Sequence, residues 1–155
     1  MRIGIVVNPD AGLGGRLGFK GSDGRAKEAR KAGAQDRAGP RMGQCLNKFF
    51  ELLKSTLNRS GVSPELYAWE GRMGGDWISH DYQVVGKSPA TSSAADTTNL
   101  VEQLTGLQVD VILYAGGDGT TRDIVNALGQ EKIPLIGVPG GVKTVSYTHL
   151  TLPTT

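Results

Sequence analysis

A single cysteine, Cys45, is all the thiol in 155 residues. One thiol excludes an intrachain disulfide and any zinc site built on paired cysteines. It lies in the apolar pattern of a helix, which assigns it to the core. Histidine is almost as scarce. His80 stands in "WISHDY" with no partner at metal-ligand spacing, and His149 falls in an atypical terminal segment. His80 is therefore read as structural or exposed, and no protein-built metal centre is expected. The net charge is only +2, too little to argue for nucleic acid. No stretch approaches the roughly 20 apolar residues of a membrane span. "MRIGIVVNP" runs straight into a strand and lacks the long apolar stretch of a signal peptide. These absences make a soluble, cytoplasmic protein the expectation, with neither nucleic acid nor membrane as partner. Two fingerprints are missing too. No Gly-Lys-Ser/Thr follows the first glycine-rich loop at Walker spacing. Gly12-x-Gly14 reaches Leu17 where the dinucleotide fingerprint needs glycine.

Glycine, by contrast, is in excess. The 23 glycines are roughly twice the usual share. They cluster where strands end, which implies tight backbone turns. Basic residues are uneven as well: eight Lys/Arg against three acids lie between Arg16 and Arg41. That run reads either as a solvated surface or as a basic rim that attracts a phosphorylated ligand.

The length fits one domain. "RIGIVV" (2–7) is a strand, followed by a glycine-rich loop from Asn8 to about Gly24 and a weakly helical stretch over 25–32. Gly39-Pro40 is expected to break the chain. From Arg41 to Ser60, Met42, Cys45, Leu46, Phe49, Leu52, Leu53 and Leu57 recur at helical spacing, and Gly61 ends that helix. "ELYAWE" (65–70) is a second strand, after which Gly71–Gly75 opens a loop and a short helix. "YQVVG" (82–86) is a third strand. Ser93-x-x-Asp96 is a capping box that starts a helix to about Leu104. "DVILYA" (110–115) is a fourth strand, with a helix from about Thr121 to Leu128 stopped by Gly129. "PLIGV" (134–138) is a fifth strand, followed by Pro139-Gly140-Gly141. Alternating strands and helices predict an α/β fold: a Rossmann-like parallel sheet of about five strands with helices on both faces.

In such a sheet, ligands sit beyond the carboxyl ends of the strands. The loops Asn8–Gly24, Gly116–Thr121 and Pro139–Val142 should then share one edge. Glycine lets backbone approach a ligand closely, and a helix start offers free N–H groups and a positive dipole end. "GGDGTT" thus reads as a phosphate site. Asp118 conflicts with a phosphate unless it holds Mg²⁺ or accepts a proton from an attacking hydroxyl, both of which belong to phosphoryl transfer. The bland alternative makes Asp118 a helix N-cap. In "NPDAGLGG", the Asn8 side chain can donate to a phosphate or ribose, with Gly12, Gly14 and Gly15 lining the loop. Lys20 and Asp23 pair with each other or reach a ligand. Lys143 is a mobile cation for phosphate or a surface lysine.

The last residues, "VSYTHLTLPTT", change character abruptly. In one reading frame they translate the transposase adapter end of sequencing libraries. Residues 1–143 are therefore read as the native α/β domain, and 144–155 as adapter read-through foreign to the native protein.

"IGIVVNPDAGLGGRLGFKGSDG" (3–24), "AGGDGTTRDIVNALG" (115–129) and "PLIGVPGGVK" (134–143) together resemble the ATP–NAD kinase family. The similarity is greatest to the branch that includes the acetoin-catabolism X-type proteins. It covers nearly all of 1–143. GGDGT alone is shared with lipid kinases such as diacylglycerol kinases. Those usually carry Gly-Thr-x-Asn after the fifth strand's proline, where this chain has Gly140-Gly141-Val142-Lys143. The resemblance implies transfer of a phosphate from ATP, or from polyphosphate, to the ribose 2′-hydroxyl of NAD, with Mg²⁺ or another divalent cation. Asp118 becomes the proton acceptor. Asn8, Gly12, Gly14, Gly15, Gly116, Gly117, Gly119, Thr120, Gly140 and Gly141 become the nucleotide-binding set. Family members also carry a β-rich C-terminal domain that supplies much of the NAD site and is missing here. The chain is thus expected to be an N-terminal fragment inactive alone, from a full-length homo-oligomer. A lipid-kinase-like enzyme and a non-catalytic nucleotide-binding module are the alternatives.

Overall fold

Ile3, Ile5 and Val7 alternate with Gly4 and Val6 along the first strand, so that strand offers apolar groups to both faces. The computed structural model, which describes residues 1–11, 37–60 and 64–138 (side chains 55–60 excepted), shows both faces covered. Five strands are present: β1 (Arg2–Val7), β2 (Glu65–Glu70), β3 (Gln83–Lys87), β4 (Val111–Ala115) and β5 (Leu135–Val138). All pair in parallel, in the order β3-β2-β1-β4-β5. The described helices are α1 (Ala38–Ser60), α2 (Ala94–Gly106) and α3 (Asp118–Leu128), with a 3-10 turn at Gly75–Trp77. The expected α/β architecture is the observed one. The stretch 25–32 and Gly61 lie outside the described residues.

One face of the sheet, with Ile3, Ile5, Val7, Leu66, Ala68, Leu113 and Ala115, packs against Ala38, Met42 and Leu46 of α1. The other, with Val6, Ile112, Tyr114 and Leu135, packs against α2 through Leu100, Val101 and Leu104 and against α3 through Ile124 and Leu128. Each fully buried aliphatic side chain contributes about 2 kcal/mol to this arrangement. Gly4 lets α2 settle on β1, since a Cβ there would lie 2.7 Å from Leu104 Cδ1. Among the described residues no helix is long and apolar enough to cross a membrane.

Several local expectations need correction. Gly39-Pro40 does not break the chain; both lie in the first turn of α1. Proline is tolerated there because first-turn N–H groups lack helical acceptors anyway. Gly39 is needed because the Trp77 ring lies against it, with Cε2 2.1 Å from where a Cβ would sit. Leu52 belongs to the solvent side of α1, 59% exposed, because the stripe Met42-Leu46-Phe49 turns away from it. Cys45 is only partly buried, beside the core rather than within it, and burial still pushes its thiol pKa up. His80 is structural, as one of its two readings had it: its ring stacks on Phe50 with centroids 4.2 Å apart.

α2 starts as expected. The Ser93 N–H donates to Asp96 Oδ2 at 2.8 Å in a capping box. It ends later than expected, at Gly106, through a pattern the composition hides. The Val109 N–H donates to Leu104 O and the Gln108 N–H to Thr105 O, which is the Schellman arrangement. The C′ residue is Gln108 at φ 56°, a conformation that glycine adopts without steric cost. Gln108→Gly is expected to stabilise the domain by about 1 kcal/mol. Thermal and urea unfolding would register the gain, and a loss of stability would refute this account of the helix end.

Candidate functional site

The strand order reverses at β1. The chain leaving β1 passes through α1 on one face, and the chain leaving β4 passes through α3 on the other. Beyond the carboxyl ends of two such strands a crevice opens, and ligands of doubly wound sheets bind there. The register sets Val7, Ala115 and Val138 side by side. The segments that follow β1, β4 and β5 therefore leave from one rim, as the positions of the glycine-rich loops imply. Gly12, Gly14, Gly15, Gly140 and Gly141 lie outside the described residues, as do Lys20, Asp23 and Lys143.

The first loop is tied to the second across this crevice. The Asn8 N–H donates to Ala115 O at 2.9 Å. Asn8 Nδ2 donates to Thr120 Oγ1 at 2.9 Å, and Asn8 Oδ1 accepts from the Asp10 N–H at 3.1 Å, an Asx turn. The carboxamide expected to face a phosphate or ribose thus spends one of its two N–H donors on the protein. Thr120 is 3% exposed, so its hydroxyl is turned to Asn8 and away from solvent. Gly116 makes this possible: a Cβ there would lie 2.4 Å from Thr120 Oγ1.

α3 begins three residues earlier than expected, at Asp118. The N-cap is Gly117, in extended conformation and without any side-chain cap, so the N-cap alternative for Asp118 does not hold. The first helical bond is Thr121 N–H to Gly117 O at 3.1 Å. The amides of Asp118, Gly119 and Thr120 precede it and have no helical acceptor. Among the described residues nothing lies within 4 Å of a Cβ built on Gly117 or on Gly119. Both glycines and Asp118 are exposed. The Asp118 carboxylate has no hydrogen-bond or ionic partner among the described residues, and its charge is favourably placed at a helix start. Three amides, two glycines and one carboxylate thus share one turn, with no partner or cover for them among the described residues.

Sequence reasoning passed over Tyr114 and Thr121. Thr121 Oγ1 donates to the Tyr114 phenol oxygen at 2.8 Å and lies 3.2 Å from Gly117 O. The available signal was a tyrosine in an otherwise aliphatic strand, because a buried phenol needs a polar partner. No cluster of three or more His, Cys, Asp or Glu that could hold a metal exists among the described residues.

A doubly wound parallel sheet with an uncapped helix start at its switch point defines the class, the Rossmann-like ligand-binding α/β domains. The chain belongs to the family described as the ATP-NAD kinase N-terminal domain, which matches residues 3–152. That span takes in residues 144–152 of the segment read as adapter sequence. No curated protein and no solved structure matches the chain.

Proposed function

We propose that this chain is the nucleotide-binding half of an NAD kinase-like phosphotransferase. The observation that carries the reading is the Asp118 carboxylate beside three amides and two exposed glycines, all without partners or cover among the described residues. The family match supports it. The amides of Asp118, Gly119 and Thr120 bind phosphate oxygens of the donor, ATP or polyphosphate, helped by the positive end of α3. The other glycine loops, with Gly12, Gly14, Gly15, Gly140 and Gly141, close around the nucleotide from the same rim. Asp118 receives the proton of the ribose 2′-hydroxyl of NAD. The 2′-oxygen forms its bond to the terminal phosphorus, the bond from that phosphorus to the bridging oxygen breaks, and the shortened donor leaves. Phosphoryl transfer asks mainly for positioning and charge neutralisation, which a fixed helix start provides.

The residues fit a magnesium ion that arrives with the donor, since magnesium takes one or two carboxylates and completes its shell with phosphate oxygens and water. Asp118 would hold it in the alternative reading, in which the carboxylate is a metal ligand and not the proton acceptor. A bound divalent ion supplies charge neutralisation on the transferring phosphoryl group.

Much of the NAD site belongs to a C-terminal β-rich domain encoded after codon 143, and the full-length protein is a cytoplasmic homo-oligomer. The 155-residue chain is then expected to make no NADP. The full-length protein is expected to phosphorylate NAD and not diacylglycerol. Assaying both proteins with ATP and with polyphosphate tests the reading. Clear NADP formation by the short chain refutes the fragment assignment, and phosphorylation of diacylglycerol instead of NAD refutes the substrate.

A further inference from the structure

Tyr114 is a phenol, 2% exposed, in the layer between the sheet and helices α2 and α3. The cluster it belongs to is mainly aliphatic, with Val6, Ile112, Leu100, Leu104, Ile124 and Leu135 among its members. An aliphatic residue would fill that position without the cost of burying a hydroxyl. The phenol oxygen reaches the start of α3, where the Thr121 hydroxyl donates to it at 2.8 Å. The same hydroxyl lies 3.2 Å from the Gly117 carbonyl oxygen, which also accepts the Thr121 N–H. Gly117 caps the helix and directly precedes Asp118.

The first turn of α3 is therefore held on two sides. Asn8 grips Thr120 from the end of β1, and Tyr114 grips Thr121 from within the sheet's core. Asp118 and Gly119 lie between Gly117 and these two anchors. Nothing else among the described residues bonds the Asp118 side chain, so its direction follows the backbone of that turn.

We propose that Tyr114 and Thr121 are positioning residues for phosphoryl transfer. The geometry assigns them the task of fixing the turn that aims Asp118 and the first-turn amides at the reacting phosphate. The assignment rests on the phosphotransferase reading of the site. It predicts a particular division of effects. Removing the phenol oxygen leaves the aromatic packing in place and leaves the Thr121 N–H its bond to Gly117 O, so α3 stays folded. What is lost is the restraint on the turn, and small misplacements of a catalytic group cost rate out of proportion to binding.

The test uses the full-length protein with Tyr114→Phe, Thr121→Val and Thr121→Ser, the last of which keeps the hydroxyl. For Tyr114→Phe and Thr121→Val, kcat for NADP formation is expected to fall about tenfold while KM for ATP changes less than about twofold. Thr121→Ser is expected to keep at least about half of wild-type kcat. Hydrogen exchange of the helix-bonded amides of Thr121 and Arg122 should quicken about tenfold in the first two variants and not in the third. If Tyr114→Phe fails to fold, Thr121→Val carries the test. Wild-type exchange at those amides, or an unchanged kcat, overturns the proposal. If wild type forms no NADP, the phosphotransferase reading fails by itself, and the exchange data alone still decide whether the hydroxyl pair fixes the turn.

Discussion

Asp118→Asn in the full-length protein is expected to lower kcat for NADP formation by about a thousandfold, inside the range for a positioned general base. Asparagine has nearly the same shape and fits the same first-turn position. It cannot take up the proton from the 2′-hydroxyl. The fold should barely notice. Asp118 is exposed and the N-cap is Gly117, so the structural loss is the favourable charge at the helix start, about 0.3–1 kcal/mol. Melting temperature should therefore fall by only a few degrees. The kinetic constants also separate the two tasks a carboxylate can have here. A proton acceptor affects kcat with KM for ATP nearly unchanged, whereas a metal-holding carboxylate raises KM for the magnesium–ATP complex as well. Steady-state kinetics and a melting curve on one variant decide among these. A kcat within about threefold of wild type would remove Asp118 from the chemistry altogether.

The parts of this domain that were legible in sequence are those written in short-range patterns. Apolar strands such as "VDVILYA" announce burial on both sides, and Ser93-x-x-Asp96 announces a helix start. Glycines after three strand ends placed the starts of their loops on one rim, and the register of Val7, Ala115 and Val138 agrees. What escaped depends on partners far along the chain. Gly39-Pro40 looks like a break until Trp77, distant in sequence, is seen lying on Gly39. Gly116–Thr120 looks like loop because glycine and aspartate are poor helix formers. Yet Asp118 opens α3, with Thr120 held by Asn8, 112 residues earlier. Asn8 shows the same limit: that one of its two amide N–H donors is spent on Thr120 depends on a group far from it in sequence. Tyr114 carried its signal openly, but only the third dimension shows that its hydroxyl meets Thr121.

The glycines of the site should separate by role when each receives a methyl group. Gly116→Ala is expected to destabilise the domain by about 2 kcal/mol, the usual scale for forcing an extra carbon into a packed site. The new Cβ would meet Thr120 at 2.4–2.8 Å. Thr120 cannot withdraw easily, being buried and bonded to Asn8. Gly117→Ala and Gly119→Ala meet nothing within 4 Å among the described residues, and neither glycine has a positive φ. Alanine at 119 lies in a helix, where it is favoured over glycine by up to about 1 kcal/mol. Gly119→Ala should thus match or exceed wild type in melting temperature, whereas Gly117→Ala gives up the preference for glycine over alanine at an N-cap and should lose about 1 kcal/mol. A glycine kept where the fold gains nothing from it has its reason in what approaches from outside. If phosphate oxygens lie against this turn, each methyl group blocks that approach, and ATP affinity should fall at least about tenfold, or 1.4 kcal/mol. Melting curves and calorimetric titration with ATP on the three variants distinguish the two roles. Unchanged ATP affinity in both Gly117→Ala and Gly119→Ala would mean that the open space above the turn is not where the phosphates bind.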